Sequence, residues 1–188
     1  MKIQIYLSNL ARYTEGRENG EWLILPKDEE KLVEDFERIV AKGNDNIEHI
    51  ILDYDSPFKI GEYDNIFELN EFLIELTLNG VTEKTVDIIS KVVDTQEELK
   101  EVLENGNYII INVDEHIHGW STNIVDDDIR GRVLNDLGFN TVFKTHVPEE
   151  MEDYIDWESV YRDISINDGW EDVRHVETDY LVRILRRK

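Results

Sequence analysis

Asp114, His116 and His118 alternate just beyond an apolar run. In extended backbone their side chains would project to one side, and imidazole with carboxylate suits a divalent metal. A polar patch at a sheet edge accounts for the same spacing, and no further ligand set accompanies it. Asp126, Asp127 and Asp128 lack the Asp-x-Asp-x-Asp-Gly order of a calcium loop and read more simply as a cap on the next helix. Asp53 with Asp55, and Asp153 with Asp156, are carboxylate pairs of the kind that perform acid and base work in a cleft. In a chain with 43 Asp and Glu such pairs arise by chance. No Ser-His-Asp arrangement, phosphate-cradling glycine loop or zinc-protease motif can be read, so the expectation is a protein that is not an enzyme and holds no metal or cofactor.

The acid itself is the stronger signal. The 188 residues carry 20 Lys and Arg against those 43 acids, a formal charge of −23. Such an excess repels DNA, RNA and anionic membranes and leaves basic surfaces as partners. Apolar residues at 40% and four Trp argue against disorder. With no Cys there is neither a disulfide framework nor a thiolate nucleophile. The apolar run in MKIQIYLSNL is too short for a signal peptide and no segment approaches a membrane span, which makes a cytoplasmic protein the expectation.

Periodicity supplies the elements that must hold these acids in place. Ile3, Ile5 and Leu7 alternate with polar residues as in a half-buried strand; Asn9 to Gly20 reads as a loop, and Trp22 to Leu25 as a short strand ended by Pro26. Asp28 is placed to cap a helix with Leu32, Val33, Phe36, Ile39 and Val40 on one side and Gly43 after it. A strand from Ile47 to Tyr54 completes a ββαβ unit. Asn65 and Glu68 form a capping arrangement for a helix whose Ile66, Leu69, Phe72, Leu73 and Leu76 face one way and Glu68, Glu71 and Glu75 another, with Gly80 at its end. Two further helices open at Thr82 and Thr95, the second ended by Gly106. A strand, Tyr108 to Val113, begins the last third, followed by a helix from Asp128 to Leu137, an extended piece from Thr141 to Val147, and a hairpin of Val173 to Glu177 and Tyr180 to Leu185 around Thr178 and Asp179. The expected class is α+β, with small antiparallel sheets at both ends and an all-helical middle, divided as residues 1–61, 62–107 and 108–188.

Pro148 to Asp163 reads as one helix with Tyr154, Trp157, Tyr161 and Ile164 on its apolar stripe and Glu149, Glu152, Asp156 and Asp163 opposite. Its aromatic residues, like those of the N-terminal segment, are taken as core. Nine acids face one Lys between Asp45 and Glu75, and ten face one Arg between Glu149 and Asp172. Because these acids are interleaved with periodic apolar residues, folding would fix them in space. Duplex DNA carries one negative charge per roughly 1.7 Å of axis, so 23 net charges shown at that density would span about 40 Å. A DNA-binding protein could read such a template as phosphate backbone, and an acidic soluble domain without mimicry is the plainer alternative.

Three stretches, IYLSNLARYTEGRENGEWLILP, DYDSPFKIGEYDNIFELNEF and YIDWESVYRDI, resemble the ArdA family of antirestriction proteins in order and spacing over Ile3 to Leu76 and again over Tyr154 to Ile164. The resemblance implies an elongated row of three small domains, a two-fold homodimer, and carboxylates that imitate bent B-form DNA. It also implies an origin on mobile elements or phages and a partner, the type I restriction-modification complex, whose DNA groove is occupied so that restriction and often modification are blocked without chemistry. The acids within the matching motifs are Glu15, Asp53, Asp55, Glu62, Asp64, Glu68, Glu71, Asp156, Glu158 and Asp163. Glu75, Glu149, Glu152 and Asp153 join them by helical geometry. The same mimicry could address another DNA-handling protein, such as a CRISPR effector or a regulator.

Overall fold

The computed structural model describes residues 1–17, 20–41, 47–117, 125–142 and 147–185. The alternation at the start of the chain produces β1 (Ile3–Asn9), the middle strand of an antiparallel sheet flanked by β2 (Glu21–Leu25) and β3 (His49–Asp55). Tyr6 pairs with Trp22 on one side and Asp53 on the other, Gln4 pairs with Ile24 and Asp55, and the β1–β3 register shifts between Tyr6 and Leu7. Directly opposed side chains share a face. Ile3, Ile5, Leu7, Leu23 and Leu25 therefore line the core, while Gln4, Tyr6, Trp22, Ile24, Asp53 and Asp55 share the outer face.

The expected loop at Asn9 to Gly20 contains a short helix, α1 (Leu10–Thr14). Asn9, which reads as a turn residue in the sequence, is its cap: its Oδ1 accepts from the Arg12 N–H at 3.0 Å, and its Nδ2 donates to the Val40 carbonyl at 2.9 Å. Five residues are too few for an apolar period to register. Next comes α2 (Glu29–Phe36), which continues as a π-helical turn, Glu37–Ala41, and buries Leu32, Ile39 and Val40. Val33, expected on the same stripe, lies toward solvent, and Gly43 falls outside the described residues.

The capping signals of the middle third hold. Asn65 caps α3 (Ile66–Leu78) by accepting from the Phe67 N–H and donating to Glu68, and Thr82 caps α4 (Glu83–Ser90). The Thr95 hydroxyl accepts from the Glu98 N–H at the start of α5 (Gln96–Asn105). Gly80 and Gly106 follow α3 and α5 at positive φ, where a glycine costs least.

By its internal contacts the chain divides into two compact units, Met1–Asn105 and Gly106–Lys188. The expected boundary between residues 61 and 62 falls inside the first unit, where side chains tie the helices to one another and to the segments that leave β2 and β3. Asn70, buried on α3, accepts from the Lys27 N–H at 2.8 Å and donates to the Lys27 carbonyl at 3.0 Å. Ser90 donates to the Pro57 carbonyl, and Phe36 meets Phe67 edge to face.

The second unit is built on the sheet order β4 (Tyr108–Asn112), β6 (Thr178–Ile184), β5 (Trp170–His175), all antiparallel. On its core pack α6 (Asp127–Asp136) and α7 (Trp157–Asp168), joined at a close approach: a Cβ on Gly131 would lie 2.4 Å from the Trp157 carbonyl oxygen. This unit departs from the sequence pattern at three places. After β4 the backbone turns into a 3-10 helix at Val113–Glu115 instead of staying extended. The hairpin turn is Val176 and Glu177, not Thr178 and Asp179, because Thr178 already pairs with His175. Val176 takes φ 58°, which a β-branched residue rarely adopts, so no turn residue advertised the position.

The third departure is at Pro148 to Asp163, which is two elements. A 3-10 helix spans Glu149–Tyr154, Ile155 is extended at φ −91° and ψ 135°, and α7 starts at Trp157. Asp156 breaks the run by acting as the cap of α7, accepting from the Ser159 N–H at 3.1 Å, while the Trp157 indole N–H returns to the Glu152 carbonyl at 2.9 Å. The buried face of α7 is Trp157, Val160, Tyr161 and Ile164; Tyr154 is 83% exposed and belongs to no stripe. Most of the expected extended piece, 143–146, and the basic end, 186–188, fall outside the described residues. Among those described, seven α-helices and two small antiparallel sheets make an α+β fold.

Candidate protein-binding surface

In the first unit the expected acids are set by α3 and by the end of β3. Since the apolar face of α3 is fully engaged, Glu68, Glu71 and Glu75 fall on the exposed side. They follow at i, i+3 and i+7, roughly 10 Å of helix from first to last. Among the described residues no Lys or Arg forms an ion pair with any of the three, nor with Asp53, Asp55 or Glu62, all exposed. Three cations of this unit pair with other acids: Arg38 with Glu21 and Asp35, Lys27 with Asp35, and Lys91 with Asp87. Hydrogen bonds from Lys27 and Arg38 hold the Asp35 carboxyl below its ordinary range. Asp64 differs from its neighbours. Half-buried, it accepts from the Gly61 N–H at 2.8 Å and from Gln96 Nε2 at 2.9 Å, closing the turn that leads into α3. Glu15 is exposed and lies 3.7 Å from Arg17.

The second unit sorts its acids in the same way. Arg130 binds Asp127 at 2.7 Å and Asp172 at 3.3 Å; Arg132 binds Asp128 and Arg183 approaches Asp168. The Tyr161 hydroxyl donates to Asp172, and burial followed by that hydrogen bond drives the phenol far above its usual titration range. These contacts tie α6, α7 and β5 together. Of the expected acids of this unit, Glu158 alone among the described residues has a cation, Arg162, at 3.0 Å. Asp156 is exposed, yet two hydrogen bonds from Ser159 lower its pKa. Asp153 and Asp163 are exposed, and Glu152 is half-buried. The Glu149 side chain lies outside the described residues.

The histidine cluster lies partly outside the described residues. Asp114 sits in the 3-10 turn and accepts from the Asp179 N–H at 3.1 Å, His118 lies outside the described residues, and no group of three potential metal ligands occurs among the described residues. One feature was missed. Trp22, taken as core, is 50% exposed and Ile24 48%, while Leu23 and Leu25 are buried. Four consecutive apolar residues, Trp22 to Leu25, hide the alternation, because period two is visible only when the outer face is polar.

A family model described as antirestriction protein (ArdA) matches residues 5–181. The chain belongs to that family. A search of curated proteins finds no match. The ArdA match takes in every candidate carboxylate from Glu15 to Asp163 and extends through both compact units, bridging the stretch between the sequence motifs. Among the described residues no helix is long and apolar enough to cross a membrane.

Proposed function

We propose that this ArdA protein is a DNA mimic that occupies the DNA-binding groove of a type I restriction-modification enzyme and so blocks restriction, and that it works as a cytoplasmic homodimer. The observation that carries the proposal is the segregation of charge in the first unit. Lys27, Arg38 and Lys91 neutralise Asp35, Glu21 and Asp87, while Glu68, Glu71 and Glu75 project from α3 with no ion-pair partner among the described residues. Carboxylates serving only solubility would gain from cations at i,i+4. Carboxylates meant for a partner must stay available to its Lys and Arg, which are the groups that bind phosphate in a DNA groove.

The mechanism is occupancy. Long-range attraction steers association, and affinity falls as salt screens the partner's cations. The test is displacement of a labelled duplex from purified type I complexes by increasing amounts of the protein. Loss of duplex at low salt, weakening as salt rises, is expected; duplex binding undiminished across several complexes would refute the reading. Displacement of duplex from unrelated DNA-binding proteins, with type I complexes untouched, would redirect the mimicry to another target.

A further inference from the structure

The outer face of the first sheet is unlike the acidic rows, because it joins aromatic rings to carboxylates. Trp22 and Tyr6 meet edge to face with centroids 5.4 Å apart. Gly20 explains how the pair is held: a Cβ there would lie 2.6 Å from Cε1 of Tyr6 and 2.8 Å from the Leu7 carbonyl, so the Tyr6 ring rests against bare backbone two residues from Trp22. The Gly-x-Trp spacing thus builds a fixed platform. Across the sheet, the row Trp22, Tyr6, Asp53 runs beside the row Ile24, Gln4, Asp55. Neighbouring strands lie about 4.8 Å apart, which puts indole and carboxylate backbones about 10 Å from one another with the phenol between them. Lys2 continues the outer alternation of β1 and bounds the face at one end.

A half-exposed Trp beside a half-exposed Ile is costly in water and suits an interface anchor. Its surroundings define the occupant. Ammonium groups are compact and strongly hydrated, whereas guanidinium is planar, stacks on aromatic faces and pairs with carboxylates through two parallel hydrogen bonds. Rings flanked by Asp53 and Asp55, with no ion-pair partner for either among the described residues, offer both contacts to one side chain. We propose that the outer face of β1, β2 and β3 is a guanidinium-reading surface, on which arginines of the basic partner protein stack on Tyr6 and Trp22 and pair with Asp53 and Asp55. It deepens the proposed function, since it takes that partner to be a DNA-binding groove.

The experiment compares binding of capped octa-arginine and octa-lysine peptides to the full chain by calorimetry at one salt concentration. The variants are Trp22→Ala, Trp22→Phe and Asp53→Asn. The wild type should prefer the arginine peptide by about fivefold. Trp22→Ala should abolish the preference by weakening arginine binding alone, and Trp22→Phe should keep most of it. Asp53→Asn should weaken both peptides, arginine more. Equal affinity of the wild type for the two peptides overturns the proposal without any variant, and so does a preference that survives in folded Trp22→Ala. Duplex displacement without an arginine preference removes this inference and leaves the mimic standing; an arginine preference without displacement from any type I complex does the reverse.

Discussion

Replacing Glu71 and Glu75 together by Gln separates a binding role from a structural one, because the two predict opposite signs. Both side chains are exposed on α3, spaced i,i+4, with no ion-pair partner among the described residues. Their mutual repulsion costs α3 about 0.2–0.5 kcal/mol. Glu75 also lies in the last turn of the helix, where negative charge is unfavourable by about 0.3–1 kcal/mol. The neutral pair should therefore stabilise the first unit by roughly 0.5–1.5 kcal/mol, a rise of a few degrees in Tm. Glu68 is left intact, because it accepts from Asn65 and sits favourably at the helix N-terminus. Against a basic groove, each lost charge pair should cost about 0.2–1 kcal/mol, so the variant should displace duplex from a type I complex about 2- to 30-fold less well. The two readouts are thermal unfolding by circular dichroism and the duplex displacement assay. A more stable, weaker inhibitor is the expected result. Unchanged potency would place this face outside the contact, and a lowered Tm would mean that the two carboxylates hold the fold.

Three further perturbations probe what positions the acids. Gly131→Ala should destabilise the second unit by about 1–3 kcal/mol in chemical denaturation, since the new methyl would collide with the Trp157 carbonyl and force α6 from α7. Tyr161→Phe should cost about 1–3 kcal/mol by the same measurement, removing a buried hydroxyl that donates to Asp172 while Arg130 still pairs with that carboxylate. Asp35 titrates lower in the folded chain than its ordinary 3.8, so its contribution is complete above that value and is lost as pH falls through the folded-state pKa. Asp35→Asn should therefore be less stable than wild type at neutral pH, with the difference shrinking in acid, when unfolding is followed as a function of pH.

Legibility followed the strength of local signals. Asn65, Thr82, Thr95 and Asp126 cap helices where the sequence places helix starts, because a short polar side chain before an apolar period has few other uses. Ile3, Ile5 and Leu7 fixed β1 by alternation. The same logic failed where two signals overlapped. In the stretch from Pro148 to Asp163 the acids at Glu152 and Asp156 looked like one row, and nothing in their charge distinguished a surface acid from Asp156, which ends one element and starts another. Asp64 was hidden likewise, since its bond to Gln96 depends on where α5 packs, although its bond to Gly61 closes a local turn. Asn70 reads as one polar residue beside the apolar stripe of α3, and only the fold shows it binding both backbone groups of Lys27.

Charge counting thus gives an upper bound on the surface left for a partner, and the structure narrows it by subtraction. Some acids are consumed by capping and turn closure, as Asp64, Asp126 and Asp156 are. Others are consumed by cations: Asp35 by Lys27 and Arg38, Asp172 by Arg130, Asp128 by Arg132. The exposed remainder includes Asp53, Asp55, Glu62, Glu68, Glu71, Glu75, Asp153 and Asp163. The shortage of cations does not by itself decide which acids go without one among the described residues: Arg130 and Arg132 each serve an acid on their own helix rather than a solvated row. Using cations inside the fold rather than over the exposed rows sacrifices about 0.3–0.5 kcal/mol per missing i,i+4 pair. That loss is coherent if the rows await cations from another molecule, and it has no use if their only task is solubility.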